Sequence, residues 1–167
     1  MFSMMPLVFL LAATFAAQTA PPANAFGPLM VYDGAWTVHA QHSFSGSPEP
    51  DHLVNHCHAD EAFYTCEQVV NGKPAALVIF TRSGTPNKFD VDNVLPNGHA
   101  SSDTDLILSG DHNEHWTFLT NDAPNHPTFR VENTFTDVDH IHFEMFSTKD
   151  GGKTWTKVNE GDDVRVK

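Results

Sequence analysis

The chain has 167 residues, 21 acidic against 9 basic side chains and a formal net charge of −12. That length suits one domain. The acidic balance repels phosphate backbones and anionic bilayers, which argues against nucleic acid and membrane surfaces as partners.

Residues 1–25 carry no charged side chain. Met4 to Ala17 is an apolar run, and Ala23-Asn24-Ala25 before Phe26 is a small-x-small cleavage site, as in a secretory signal peptide. No Lys or Arg precedes the run, which departs from the usual pattern, and cleavage after Ala17 is an alternative. The run is shorter than the roughly 20 apolar residues that span a bilayer, and Pro21-Pro22 follows it. The expectation is an exported chain, periplasmic or secreted, with a leader over 1–25, one domain over 26–167 and no stable membrane insertion after cleavage.

From there turn signals recur: Asn71-Gly72, Asn97-Gly98, Ser109-Gly110, Asp137 to Asp139, and Asp150-Gly151-Gly152. Asn-Gly is a strong hairpin signal, because the tight turn that matches strand twist needs positive φ at both central residues. The spacing predicts strands over Ala35 to Phe44, Leu53 to Ala59, Phe63 to Val70, Ala75 to Thr81, Phe89 to Leu95 and Ala100 to Leu108. Four more follow: His115 to Leu119, Thr128 to Phe135, His140 to Phe146, and Thr154 to Lys167, the last open to a break at Gly161. Helical periodicity is missing outside the leader, apart from room for a short helix at the N-terminus or near Ser102. The fold expected is all-β: an antiparallel up-and-down meander of about 8–10 strands, closed into a barrel because closure removes sheet edges.

Two cysteines suit an oxidising compartment. If Glu61-Ala62 is a two-residue turn, Cys57 faces Cys66, close enough for a cross-strand disulfide after a small adjustment. The same register puts His56 opposite Glu67 and His58 opposite Thr65. Two imidazoles and a carboxylate on one face make a three-ligand set for zinc or copper, or alternatively a solvated surface pair.

Alternation assigns the inner face. Phe129, Val131 and Phe135 share one side of their strand, and Ile141, Phe143 and Met145 oppose His140, His142 and Glu144. Val38, Phe44, Leu77, Ile79, Trp116 and Phe118 extend the expected interior, either as plain core or as the wall of a ligand cavity. His42 falls on the face of Trp36, Val38 and Phe44, so it is expected inside or at the barrel mouth. His42, Phe44, Trp116, Phe129 and Phe143 are the candidate ligand contacts.

Gly34-Ala35-Trp36 opens the first strand and Arg165 lies in the last. This resembles the Gly-x-Trp start and basic final-strand partner of lipocalins and their calycin relatives. The resemblance implies an indole packed against a cation across the barrel floor, although the Thr-Asp-Tyr lipocalin motif is missing. Thr148 to Trp155 resembles the Asp-box hairpin of sialidases, which implies that Asp150 caps the turn and Trp155 packs beneath it, with no catalytic role. That ending, with Cys66 to Lys73, is also similar to small exported lipocalin-like proteins of Gram-negative bacteria. The chain shows no Gly-x-Ser-x-Gly elbow, phosphate-cradling glycine loop or His-Glu-x-x-His motif. The leading expectation is a monomeric barrel that binds a small, mostly apolar molecule. The rivals are metal binding at His56, His58 and Glu67, and an enzyme using His42 or His56 as base.

Overall fold

The computed structural model describes residues 26–110, 114–123 and 126–167. The expected leader, residues 1–25, lies outside the described residues, as does His112.

Ten strands form one closed antiparallel barrel. They are β1 (Gly34–Ala40), β2 (Asp51–Ala59), β3 (Phe63–Val70), β4 (Lys73–Arg82) and β5 (Lys88–Val94). The second half is β6 (Ala100–Ser109), β7 (His115–Ala123), β8 (His126–Asp137), β9 (His140–Ser147) and β10 (Thr156–Arg165). Each strand pairs with the next, and β1 closes the sheet against β10 with Trp36 opposite Arg165 and Val38 opposite Asp163. Closure satisfies the backbone groups that an open edge would present to solvent or to another chain. Asn71 and Gly72 both take positive φ, as the tight turn between β3 and β4 requires.

One end of the barrel is plugged. A 3-10 helix, Gly27–Tyr32, carries Leu29 fully into the core. Phe26 packs against Tyr64 and Phe89, with ring centroids 6.3 and 5.8 Å apart. Tyr32 meets Trp116 edge to face at 5.1 Å, and Trp116 in turn lies 4.6 Å from Phe135.

Cys57 and Cys66 face each other in the β2–β3 hairpin and form a disulfide with Cα atoms 4.1 Å apart. The bond fixes the phase of this sheet region: Cys66 points inward and pairs with Val78.

Three expectations need correction. In β4 the inner residues are Val78 and Phe80, whereas Leu77 is 39% exposed and Ile79 half-buried. Both faces of this strand are apolar, so alternation carried no phase there; the inward Cys66 supplies it. Strand β1 stops at Ala40 instead of running to Phe44. There the Asn159 side chain, buried on β10, accepts from the His42 amide (3.0 Å) and donates to its carbonyl (2.9 Å), so the backbone of His42 is held while its side chain is exposed. Strand β10 runs unbroken through Gly161. A Cβ at this position would collide with the His39 carbonyl oxygen and lie 2.8 Å from Ala40 Cα and from the Phe143 ring. Glycine is there for close approach of strands, not for a break.

Candidate functional site: a cavity inside the barrel

Above the aromatic plug the barrel is hollow. It encloses a cavity of about 430 Å³, within the range of small-molecule sites. Its walls are mainly apolar: Trp36 and Val38 from β1, Val78 and Phe80 from β4, Phe118 from β7, and Ile141 and Phe143 from β9 are among them. The inward sets of successive strands create this wall because every second residue points to the same side.

Of the five expected ligand contacts, Phe44 and Phe143 line the cavity. Their rings lie 5.9 Å apart, and Phe44 is 57% exposed, so it stands where the cavity meets solvent. Trp116 is inward but lies beneath Tyr32 in the core, outside the cavity lining. Phe129 is half-buried beside the point where the β7–β8 register shifts, and it does not reach the cavity. His42 is exposed and lies outside the lining, because the chain turns away at the end of β1.

The polar groups in the cavity were not foreseen from the sequence. Asp51 is almost completely buried and accepts hydrogen bonds from the Ser43 hydroxyl, the Phe44 amide and Asn71 Nδ2, at 3.0, 2.9 and 2.8 Å, and from the Ser45 hydroxyl. Burial pushes its carboxyl up, but the hydrogen bonds from Ser45, Asn71 and Ser43 outweigh this and bring it down to about 2. This acid ties the β1–β2 loop to the barrel. Gln68 donates to Asn55 at 3.2 Å, and Asn55 donates to the Tyr32 carbonyl at 3.0 Å. The hydroxyls of Thr104 and Thr120 pair at 3.0 Å.

Asp163 differs from all of these. It shares the inner face of β10 with Gly161 and Arg165, sits between Val38 and Ile141, and lines the cavity. Among the described residues its carboxylate forms no hydrogen bond and no ion pair. Burial, helped by the neighbouring charge of Asp162 and opposed by His140, pushes it up to about 7. Nearby, Tyr32 accepts a hydrogen bond from Asn133 Nδ2 at 2.8 Å. Burial holds the Tyr32 hydroxyl far above its ordinary range; the Asn133 bond lowers it and the charge of Asp163 raises it further. One signal in the sequence could have found Asp163. If Arg165 points inward to meet Trp36, period-two alternation places residue 163 on the same face.

His56, His58, His140 and His142 lie on the outer face of the barrel. His56, His58 and Glu67 take the expected register, His56 opposite Glu67 and His58 opposite Thr65, and all three are exposed. Their donor atoms do not gather into a ligand set. Among the described residues the three that converge within 4.8 Å are instead His142, Glu144 and Glu160. Lys157 already bridges those two glutamates, at 2.5 and 2.7 Å, and supplies the cation. His140 and His142 both reach Asp162 Oδ1, at 3.2 and 3.1 Å, on the outer face.

The groups read as structural take defined places. Arg165 stacks on Trp36 with its guanidinium carbon 4.1 Å from the ring centroid. Asp150 accepts from the Thr154 hydroxyl and amide, the Thr148 hydroxyl and the Lys153 amide, at 2.6, 2.9, 2.8 and 3.0 Å. Trp155 packs over Arg130, which also stacks on Phe146, each at 4.6 Å.

No protein-family model and no curated protein sequence matches the chain. Among solved structures, the crystal structure of Rv2717c from M. tuberculosis is similar, with a TM-score of 0.54 at 14% sequence identity. The likeness covers 87% of this chain and 99% of that one. At this identity it shows a shared barrel fold.

Proposed function

We propose that this protein carries a small, mostly apolar organic molecule inside its barrel. The observation that carries the reading is the cavity of about 430 Å³ with aromatic and aliphatic walls and a few fixed polar groups. A barrel built only for stability would fill its interior with side chains, as small barrels do. An apolar ligand entering this space removes its own surface and that of the walls from water, which is favourable at about 25 cal/mol per Å² before the costs of association.

The sequence features of residues 1–25 and the Cys57–Cys66 disulfide support export to the periplasm or beyond. A calycin-like relationship is supported by Gly34, Trp36 and Arg165, with the Arg165 guanidinium stacked on the Trp36 indole.

The test is a titration of the oxidised protein with an uncharged, environment-sensitive apolar dye such as N-phenyl-1-naphthylamine, repeated with Val131→Trp. Val131 lines the cavity without being fully buried, so the larger ring enters existing space. The expected result is saturable fluorescence enhancement that the substitution removes while the barrel stays folded. Enhancement unaltered by Val131→Trp, or no binding at all, would sink the proposal.

A further inference from the structure

The geometry points to a ligand with a cationic head, a protonated amine or an equivalent nitrogen cation, that pairs with Asp163 while its apolar body fills the cavity. The inference rests on the carrier reading above and names the chemistry of the molecule carried.

The argument begins with the contrast between the two acids that line the cavity. Asp51 has a full set of donors from Ser43, Ser45 and Asn71. Asp163 has none among the described residues, although it faces the same space. A carboxylate inside an apolar barrel without a partner is costly, and natural interiors retain such groups mainly where something binds them. The nearest cation on its strand cannot help. Arg165 is committed to the carbonyls of Asp33, Val31 and Val138, to Asp139, and to the face of Trp36.

The lining also excludes the opposite sign. No Lys, Arg or His lines the cavity among the described residues, so a carboxylate or phosphate ligand would find no counter-charge there. The aromatic rings of Phe44, Phe80 and Phe118 suit both an apolar body and a nearby cation. Beside Asp163, Tyr32 accepts from Asn133, which leaves its own proton to donate towards a ligand or the carboxylate.

The groups that bear on the charge of Asp163 are few. On β10 they are Asp162, which faces outward, and Arg165, already engaged. His140 on β9 acts from the outer face, and β1 places uncharged Val38 alongside. Tyr32 comes from the plug, and Asp51, saturated with donors, shares the cavity. An acid held near neutrality by these surroundings ionises when a cation arrives, so cation binding strengthens as pH rises through that range.

The experiment compares three probes that share an indole body: tryptamine, its neutral isostere tryptophol, and indole-3-acetate. Affinities are measured by isothermal titration calorimetry on the oxidised protein and on Asp163→Asn. At about pH 8 tryptamine is expected to bind at least about tenfold tighter than tryptophol, since a charge-assisted pair in a mainly apolar cavity exceeds a neutral contact by that much. Asp163→Asn, or a shift to about pH 5, should erase the preference and leave tryptophol binding within about twofold. The pH comparison uses the unmodified chain and decides the matter independently of the variant. Equal binding of tryptamine and tryptophol, or a preference for indole-3-acetate, overturns the cationic head while the carrier reading stands. Failure of all three probes together with the apolar dye overturns both.

Discussion

Trp36 and Arg165 face each other across the strand pair that closes the barrel, with the guanidinium 4.1 Å above the indole. The contact does more than stack two groups. Arg165 donates to the carbonyls of Asp33 and Val31 at 2.7 and 2.6 Å and to that of Val138 at 3.3 Å. One side chain thus fastens the end of the 3-10 plug, the closing strands and the β8–β9 turn. Trp36 is 1% exposed, and its indole N–H donates to the Tyr32 carbonyl at 3.2 Å.

Arg165→Ala is expected to lower stability by about 3 kcal/mol, from lost charge-assisted hydrogen bonds and the cation–π contact. Arg165→Lys should recover little, because a point charge cannot reproduce a planar fork serving several carbonyls. Urea denaturation measures both. Gly34 belongs to the same device. Its φ of +113° disfavours any side chain, and a Cβ would lie 2.9 Å from Arg165 Nη1. Gly34→Ala should therefore destabilise by about 1–2 kcal/mol.

Asp163 predicts a pH dependence of stability whose sign follows from its raised value. The folded state holds this proton up to about 7, whereas an unfolded Asp releases it near 3.9. Stability from this group is complete below about pH 4, declines as pH rises towards 7 and is level above. Asp163→Asn should therefore be more stable than the parent by about 2–4 kcal/mol at about pH 8, and no different at about pH 4. Thermal melts at the two pH values decide this; an equal effect at both would count against a desolvated Asp163 carboxylate.

Asp51 acts in the opposite direction. Its carboxyl, brought down to about 2, contributes stability above the unfolded value near 3.9 and loses it as pH falls through about 2. Asp51→Asn should cost about 2 kcal/mol at neutral pH, with the gap to the parent closing in acid. Because Asp51 holds Ser43, Phe44 and Ser45, the same variant should loosen the loop carrying Phe44. Faster amide hydrogen exchange across residues 43–50 is the readout.

The disulfide closes a short loop, with nine residues of separation. On the chain-entropy account its removal costs about 2–3 kcal/mol. Cys57→Ser with Cys66→Ser should lower the urea midpoint accordingly and leave the strand content by circular dichroism unchanged, since the β2–β3 ladder keeps its pairing.

The meander was legible because each hairpin announces itself locally. Asn71-Gly72 and the Cys57–Cys66 spacing set register by counting residues, without knowledge of distant strands. The inner face of β9 was equally legible, since Ile141 and Phe143 alternate with His140 and His142. Legibility failed where the local signal was symmetrical or where a distant side chain intervened. Strand β4 is apolar on both faces, so only its pairing with Cys66 sets which residues point in. The end of β1 depends on Asn159, 117 residues from His42. The candidate site was read in part: Phe44 and Phe143 reach the cavity, whereas His42, Trp116 and Phe129 do not.

The order of strands, their antiparallel turns and the pairing of the two cysteines follow from dihedral preferences and spacing along the chain. The hollow interior, and an Asp163 that faces it with no partner among the described residues, emerge only when the strands are assembled. A cavity is the difference between the volume the strands enclose and the volume their inward side chains fill, and a carboxylate is unpartnered only with respect to every strand around it. Both are properties of all ten strands at once, and no local stretch of sequence encodes them.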